Sequence, residues 1–202
     1  EQRHLADARN LELRDAIGRR DAFVVLTGEL GVGKTTLCRA VMGALDRRTL
    51  TAFVSDPFLT LDELLRTVLV QFGVISREDL ARGRLMAASR EKLTAVLEDF
   101  VASLAGLQAS AIVIIDDAHN VPVHVLEQIG GLVGTERGPR RLQVVLVGER
   151  KLLKLLKRRE LRRLQQQGAL GFAAGHVGAE GYLQGALDHP AQGGQLRLAA
   201  QG

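Results

Sequence analysis

The stretch 24–36, which reads VVLTGELGVGKTT, constrains the fold of this chain more than any other. The spacing of a phosphate-binding loop, G-x-x-x-x-G-K-[ST], is met by Gly28, Gly33, Lys34 and Thr35, with β-branched residues before it and a helix-forming run after it. Glycines let the backbone wrap so closely that successive N–H groups point inward, and the N-terminus of the following helix adds unpaired amides and a positive dipole. The sequence therefore predicts a phosphate site between a strand and a helix.

Each residue of this loop has an expected role. Lys34 is expected to reach the β- and γ-phosphates of a nucleotide, and the Thr35 hydroxyl is expected to ligate Mg²⁺. The residues expected to contact the nucleotide are Gly28, Glu29, Leu30, Gly31, Val32, Gly33, Lys34, Thr35 and Thr36. The alternative is a glycine-rich turn that joins strand to helix and holds no ligand.

Two acids after an apolar run supply the second half of the predicted site. The run 112–115 is typical of a strand buried on both faces, and Asp116 and Asp117 follow at its carboxyl end, where α/β sheets place their ligands. Asp116 is expected to hold Mg²⁺ through water, and Asp117 to polarise the attacking water. The alternative is that both acids only cap the following helix.

Strand-like and helix-like segments alternate along the chain, which predicts a parallel α/β sheet with right-handed crossovers. The predicted strands are 23–26, 50–54, 111–115, 142–147 and 169–174. The predicted helices are 2–19, 34–46, 61–72, 89–104 and 122–133, with one or two more over 149–167. One domain is expected over 1–175, with an N-terminal helix within 1–20, and a poorly structured or truncated lid or tail is expected over 176–202.

Composition excludes some classes of protein. With six Phe, one Tyr and no Trp in 202 residues, an aromatic platform for single-stranded nucleic acid is not expected. The single cysteine, Cys38, is interpreted as a small packed thiol in a reducing, cytoplasmic setting. No apolar run approaches the ~18 residues of a membrane span. The chain begins at Glu1 rather than at a methionine, as expected of a processed chain or a piece of a longer protein.

A strongly basic segment lies near the end of the predicted domain. Between Arg150 and Arg163 there are eight basic residues and one acid, Glu160, while the whole chain has a net charge of +4. Three interpretations stay open: a solvated helix face, a subunit interface that offers Arg162 or Arg163 to a neighbour's γ-phosphate, and a surface for DNA or anionic lipid.

His119 follows the two acids, as in the DEAH phrase of helicases, but no second helicase motif is found in the sequence. We interpret it as a residue at a helix start near the nucleotide site.

Several phrases together resemble one family. They are LTGE at 26–29, TLCRA at 36–40, DELLR at 62–66, IDDAHN at 115–120 and QVVLVG at 143–148. In this order they resemble the ATPase domain of the general secretion pathway protein A family, within the AAA+ superfamily, over roughly residues 20 to 165. The resemblance implies a three-layer α/β/α P-loop fold with five parallel strands in the order 5-1-4-3-2, ATP and Mg²⁺ as cofactors, and an ATPase activity.

The same resemblance implies a biological setting. Members of the family are cytoplasmic ATPase domains of inner-membrane proteins, which act with a membrane-bound partner in assembling the secretin of type II secretion. Self-association is expected as well. Two other functions stay open: a DNA-binding ATPase of the transposition-regulator kind, and a nucleotide-gated scaffold with negligible catalysis.

The chain departs from the family at the groups that speed hydrolysis. Asp117 stands where the family usually has Glu, and Glu149 stands where it tends to have a Gln that senses the γ-phosphate. The family's candidate arginine finger falls near Gln167, so Arg162 or Arg163 is the expected substitute. A shorter carboxylate can leave the attacking water misplaced, and small misplacements cost large rate factors. We therefore expect tight nucleotide binding with slow hydrolysis.

Overall fold

A parallel β-sheet forms the centre of the fold in the computed structural model, which describes residues 13–76, 78–79, 82–83, 88–133, 141–162, 164 and the backbone of 171–174. Its four main strands are β1 (Phe23–Thr27), β2 (Thr49–Val54), β3 (Ser110–Ile115) and β4 (Leu142–Gly148). They pair in parallel in the order β2-β3-β4-β1. The α/β P-loop fold and the order 1-4-3-2 of these strands are thereby confirmed.

The fifth predicted strand is a short edge element. β5 (Gly171–Ala174) pairs in parallel with β1, from Val24 opposite Gly171 to Thr27 opposite Ala174. The body of the sheet is formed by the four strands of five to seven residues, whereas β5 has four residues and lies beside β1 alone. The prediction of five parallel strands in the order 5-1-4-3-2 is thus met in part, because four strands form the body of the sheet and β5 is a short strand at its edge.

The helices connect these strands close to the predicted positions. They are α1 (13–18), α2 (Lys34–Ala44), α3 (Leu61–Gln71), α4 (Arg90–Ser103), α5 (Val123–Val133) and α6 (Lys151–Leu156), with 3-10 segments at Ala118–Asn120 and Arg159–Leu161. Within 149–162, the predicted helical stretch is divided into α6 and a 3-10 turn. Across the described ranges, no helix combines the length and the apolarity that crossing a bilayer requires. The predicted tail over 176–202 lies outside the described residues.

The two faces of the sheet carry separate hydrophobic cores, which gives the predicted three layers. Alternate strand residues point to opposite faces, so Phe23 and Val25 join one core while Val24 and Leu26 join the other. The larger core packs the sheet against α3, α4, α5 and α6. The smaller core packs it against α1 and α2. The phosphate loop therefore continues from a strand that is held on both faces.

Local signals set the start of α3. The Thr60 backbone N–H donates to Glu63 Oε2 at 2.8 Å, and the Glu63 N–H donates to Thr60 Oγ1 at 3.3 Å. This reciprocal pair is a capping box, as the spacing of the two residues predicts. It satisfies amides at the helix N-terminus that would otherwise lack partners.

Two glutamines fasten other segments to the sheet. Gln143 is 2% exposed on β4, and its Nε2 donates to the backbone oxygens of Ile17 and Asp21, both at 3.1 Å. Gln71, at the end of α3, is exposed and bonds both backbone groups of Phe53 on the edge strand β2, at 2.7 and 2.8 Å. The first glutamine anchors the end of α1 in a dry environment, whereas the second lies where water has access.

This difference in burial predicts a difference in stability. Gln143→Leu removes a donor from the Asp21 oxygen inside the protein, while the Ile17 oxygen keeps the Arg20 N–H as its donor at 3.0 Å. We expect it to lower the free energy of unfolding by about 2 kcal/mol. Gln71→Leu, the matched control, removes two hydrogen bonds that water can replace, and we expect a loss below about 1 kcal/mol. Urea unfolding followed by circular dichroism measures both. Equal losses would contradict the anchoring role of Gln143.

Candidate nucleotide-binding site

The loop after β1 has the backbone shape that its glycines predict. Gly31 has φ 78° and Gly33 has φ 82°, both in the left-handed region, and α2 begins directly after Gly33. Among the described residues nothing lies within 4 Å of a Cβ built on either glycine. Backbone conformation, rather than space, therefore requires glycine at these positions. The Gly28 N–H donates to the Gly148 oxygen at 3.1 Å, which fixes the start of the loop against the end of β4.

Lys34 folds back over the loop that precedes it. Its Nζ donates to the backbone oxygens of Gly28 at 3.1 Å and Glu29 at 2.8 Å. The ammonium group thus lies beside the left-handed turn at the N-terminus of α2. This is the place where an anion gains from both a positive charge and the helix dipole.

Thr35 and Asp116 meet across the end of the sheet. The Thr35 hydroxyl donates to Asp116 Oδ2 at 2.6 Å, and the Asp116 residue is 8% exposed. The backbone N–H of Asp116 donates to the Val54 oxygen at 2.8 Å, so the strand pairing holds this residue in place. A hydroxyl oxygen and a carboxylate beside a positive helix end are hard oxygen donors, and this donor set fits Mg²⁺.

Asp117 lies next to this pair in an unusual backbone conformation. Its φ is 48°, a left-handed value that Asp tolerates better than most residues, and its N–H donates to Asp116 Oδ1 at 2.9 Å. Its side chain is exposed and, within the described part of the chain, makes no capping hydrogen bond to the 3-10 segment that follows. Capping therefore does not account for the second acid.

His119 makes the contact that the sequence did not predict. The residue lies in the 3-10 segment close to the two acids, but its side chain is only 3% exposed and turns toward the end of β4. The Glu149 N–H donates to His119 Nδ1 at 3.1 Å, and His119 Nε2 lies 3.4 Å from Glu149 Oε1. An isolated histidine carries no spacing signal that would reveal a partner 30 residues away.

The surroundings of His119 favour its neutral ring. Burial lowers its pKa, and Lys151 and Lys34 lower it further, while the carboxylates of Glu149 and Asp117 oppose the shift. A neutral ring can carry its proton on Nε2 and accept a hydrogen bond at Nδ1. The direction of the pKa shift thus agrees with the hydrogen bond from Glu149.

The basic segment after β4 is amphipathic, as its pattern predicts. Its buried side chains are Leu152, Leu156, Leu161 and Leu164. The exposed cations among the described residues are Arg150, Lys151, Lys154, Lys157, Arg158, Arg159 and Arg162. Of these, Lys151 Nζ lies 3.4 Å from Glu149 Oε2. The side chain of Arg163 lies outside the described residues. The proposed role of Arg162 or Arg163 at a neighbour's phosphate stays a prediction.

A glycine-rich loop between strand and helix, with a carboxylate at the end of a nearby parallel strand, defines the class of P-loop nucleotide-binding domains. Within this class the chain belongs to the AAA domain family, whose pattern matches residues 17–156. It is 34% identical over 159 residues to general secretion pathway protein A of Aeromonas hydrophila. That match confirms the resemblance identified from sequence, and it covers 78% of this chain and 27% of the relative's length.

Solved structures agree on the fold. The Cdc6p structure from Pyrobaculum aerophilum is similar with a TM-score of 0.59 at 19% identity, covering 84% of this chain and 44% of that one. The ORC2 structure from Aeropyrum pernix has a TM-score of 0.55 at 17% identity, covering 85% and 46%. At such low identity the likeness shows the fold alone.

Cys38 packs on the inner side of the helix that begins at the phosphate loop. It is fully buried in the smaller core, and burial, together with the charge of Asp116, raises the pKa of its thiol to about 12. The interpretation of Cys38 as a packed thiol is confirmed. Since the thiolate is the reactive form, this thiol is inert while the domain is folded.

We therefore expect Cys38 to react slowly with 5,5′-dithiobis(2-nitrobenzoate) at pH 8 in buffer. In urea its pKa returns toward about 8.5, so the reaction should be at least about a hundredfold faster. Absorbance at 412 nm measures both rates, with free cysteine as the control. Rapid labelling of the folded protein would contradict the packing described here.

Proposed function

We propose that this chain binds ATP with Mg²⁺ as an AAA+-type ATPase and uses the nucleotide state as a conformational switch. The hydrogen bond between Thr35 and Asp116 is the observation that carries this proposal. It places a loop hydroxyl and a strand-end carboxylate together beside Lys34, which is the combination that a Mg²⁺-nucleotide requires. Membership of the AAA domain family supports nucleotide binding independently.

Each group of the site has a role in this proposal. The phosphates are bound by the amides of the loop 28–33 and by the ammonium group of Lys34. To bind them, Lys34 gives up its hydrogen bonds to the Gly28 and Glu29 oxygens. Thr35 and Asp116 hold Mg²⁺, which when bound neutralises charge that develops on the phosphate oxygens. Asp117 orients the attacking water and accepts hydrogen bonds from it.

Slow hydrolysis follows from the nature of Asp117. Its carboxylate is one methylene shorter than that of Glu, and its left-handed backbone conformation suits Asp. Glu149, at the end of β4, has its carboxylate 3.4 Å from both His119 and Lys151. These neighbours reduce the repulsion that its charge exerts on a γ-phosphate. The site is therefore better suited to binding ATP than to hydrolysing it quickly.

The biological role is proposed from the relative. General secretion pathway protein A is named for secretion, and this chain spans 27% of its length. We infer that the chain works at the cytoplasmic face of the inner membrane, with other copies of itself and a membrane-bound partner, in assembling the secretin of type II secretion. Binding of ATP would change its contacts with that partner.

A substitution series at Asp117 tests the proposed chemistry. Asp117→Asn removes the charge that orients water, so we expect hydrolysis to be abolished with ATP affinity unchanged. Asp117→Glu restores the longer carboxylate, and we expect kcat to rise about tenfold, since small changes in position have large effects on rate. The strain of Glu in the left-handed region should cost about 1 kcal/mol of stability. Phosphate release and fluorescent-nucleotide binding measure these effects.

Two results would contradict the proposal. One is wild-type turnover at the rate of AAA+ motors, which would remove the assigned effect of Asp117. The other is an ATP affinity that does not depend on Mg²⁺.

DNA binding is a second candidate function. It is favoured by a group of exposed cations, Lys154, Lys157, Arg159 and Arg162. Duplex DNA in the same assay distinguishes it, because stimulation that disappears with salt would support a DNA-binding ATPase.

A further inference from the structure

A buried histidine joins the ends of two neighbouring strands of the sheet. His119 follows β3 by four residues, and Glu149 follows β4 directly. The backbone N–H of Glu149 donates to His119 Nδ1 at 3.1 Å, and the histidine side chain is 3% exposed. This is a contact between two loops that both lie at the carboxyl edge of the sheet, where the proposed nucleotide site is located.

Gly148 leaves the space that the His119 ring occupies. A Cβ built on Gly148 would lie 2.9 Å from His119 Nδ1, closer than real Cβ contacts come, and 3.2 Å from a methyl of Leu152. Gly148 has an ordinary backbone conformation, so its missing side chain serves close approach rather than a turn. The glycine is therefore a structural requirement of the histidine contact.

The side chain of Glu149 is held by the same ring and by one lysine. Its Oε1 lies 3.4 Å from His119 Nε2, and its Oε2 lies 3.4 Å from Lys151 Nζ. Both the backbone and the carboxylate of Glu149 are thus fixed relative to the loop that carries Asp117. A carboxylate at this place would otherwise be free to turn toward the phosphates and repel them.

We infer that His119 is a positioning residue that fixes Glu149, and with it the end of β4, relative to the loop that carries Asp117. This inference rests on the proposed function, because it gives the contact a role in ATP hydrolysis. His119 acts through the Glu149 amide and carboxylate rather than on the nucleotide itself. Losing it should free the Glu149 amide and slow hydrolysis, whereas Lys151 still pairs with the Glu149 carboxylate, so the phosphate loop and nucleotide affinity stay intact.

The first test measures the contact without reference to activity. Asn can place an amide oxygen where His carries Nδ1, whereas Gln places its amide at the distance of Nε2. Hydrogen exchange of the Glu149 amide should therefore stay slow in His119→Asn and become at least about tenfold faster in His119→Ala and His119→Gln. Amide-resolved NMR of the full chain measures this exchange. Unchanged protection in His119→Ala would overturn the inference.

The second test measures rate and affinity in the same variants. We expect kcat to fall about tenfold in His119→Ala and His119→Gln, and to stay within about threefold of wild type in His119→Asn, with KM and ATP affinity unchanged. His124→Ala, at an exposed histidine of α5, is the matched control and should match wild type. If the loss of kcat in all three His119 variants parallels their loss of melting temperature, His119 has a merely structural role and the inference is overturned.

The third test displaces the ring without removing it. Gly148→Ala should force His119 out of its place and lower kcat about as much as His119→Ala. In the double variant, the methyl group added at position 148 no longer meets the His119 ring. The effects of the two substitutions on kcat should therefore be far from additive. Additive effects of the two substitutions would contradict the contact between Gly148 and His119.

The inference and the proposed function can fail separately. If the wild type binds ATP without hydrolysing it, the proposed ATPase function fails, whereas the amide exchange still decides whether His119 fixes Glu149.

Discussion

The hydrogen bond from Thr35 to Asp116 joins two residues that are 81 positions apart, and the geometry of the proposed nucleotide site depends on it. It can form only because β3 and β1 lie on either side of β4 in a parallel sheet, with their carboxyl ends at the same edge. The helix α2 packs over this part of the sheet, so its first turn reaches across β4 to the end of β3. The sheet order is thus a condition of the site.

The end of β4 is the second point where the fold and the site meet. The Gly148 oxygen accepts a hydrogen bond from the N–H of Gly28, the first residue of the phosphate loop. The next residue, Glu149, donates its N–H to His119. Gly148 therefore lies between the loop after β1 and the loop after β3. A displacement of this strand end is therefore expected to move both loops.

Much of this arrangement was predictable because its signals are local. The glycine spacing, the acids after an apolar run and the Thr60–Glu63 capping box each act within a few residues, and all lie where the sequence placed them. The expectation for β5 was met only in part, because a short edge segment carries little burial signal. The sequence placed His119 at a helix start near the site, but not its contact with Glu149, because that partner is 30 residues away and bonds through its backbone, which no side-chain pattern reveals.

The most direct measurement concerns the hydroxyl of Thr35. Titration calorimetry of ATP, with and without Mg²⁺, should show that Mg²⁺ tightens binding to wild type and to Thr35→Ser by at least about tenfold, since both keep the oxygen ligand. In Thr35→Val the benefit of Mg²⁺ should be lost, with metal-free affinity unchanged. If Thr35→Val retains the full effect of Mg²⁺, Thr35 and Asp116 do not form the metal site, and the proposed Mg²⁺-nucleotide site is wrong.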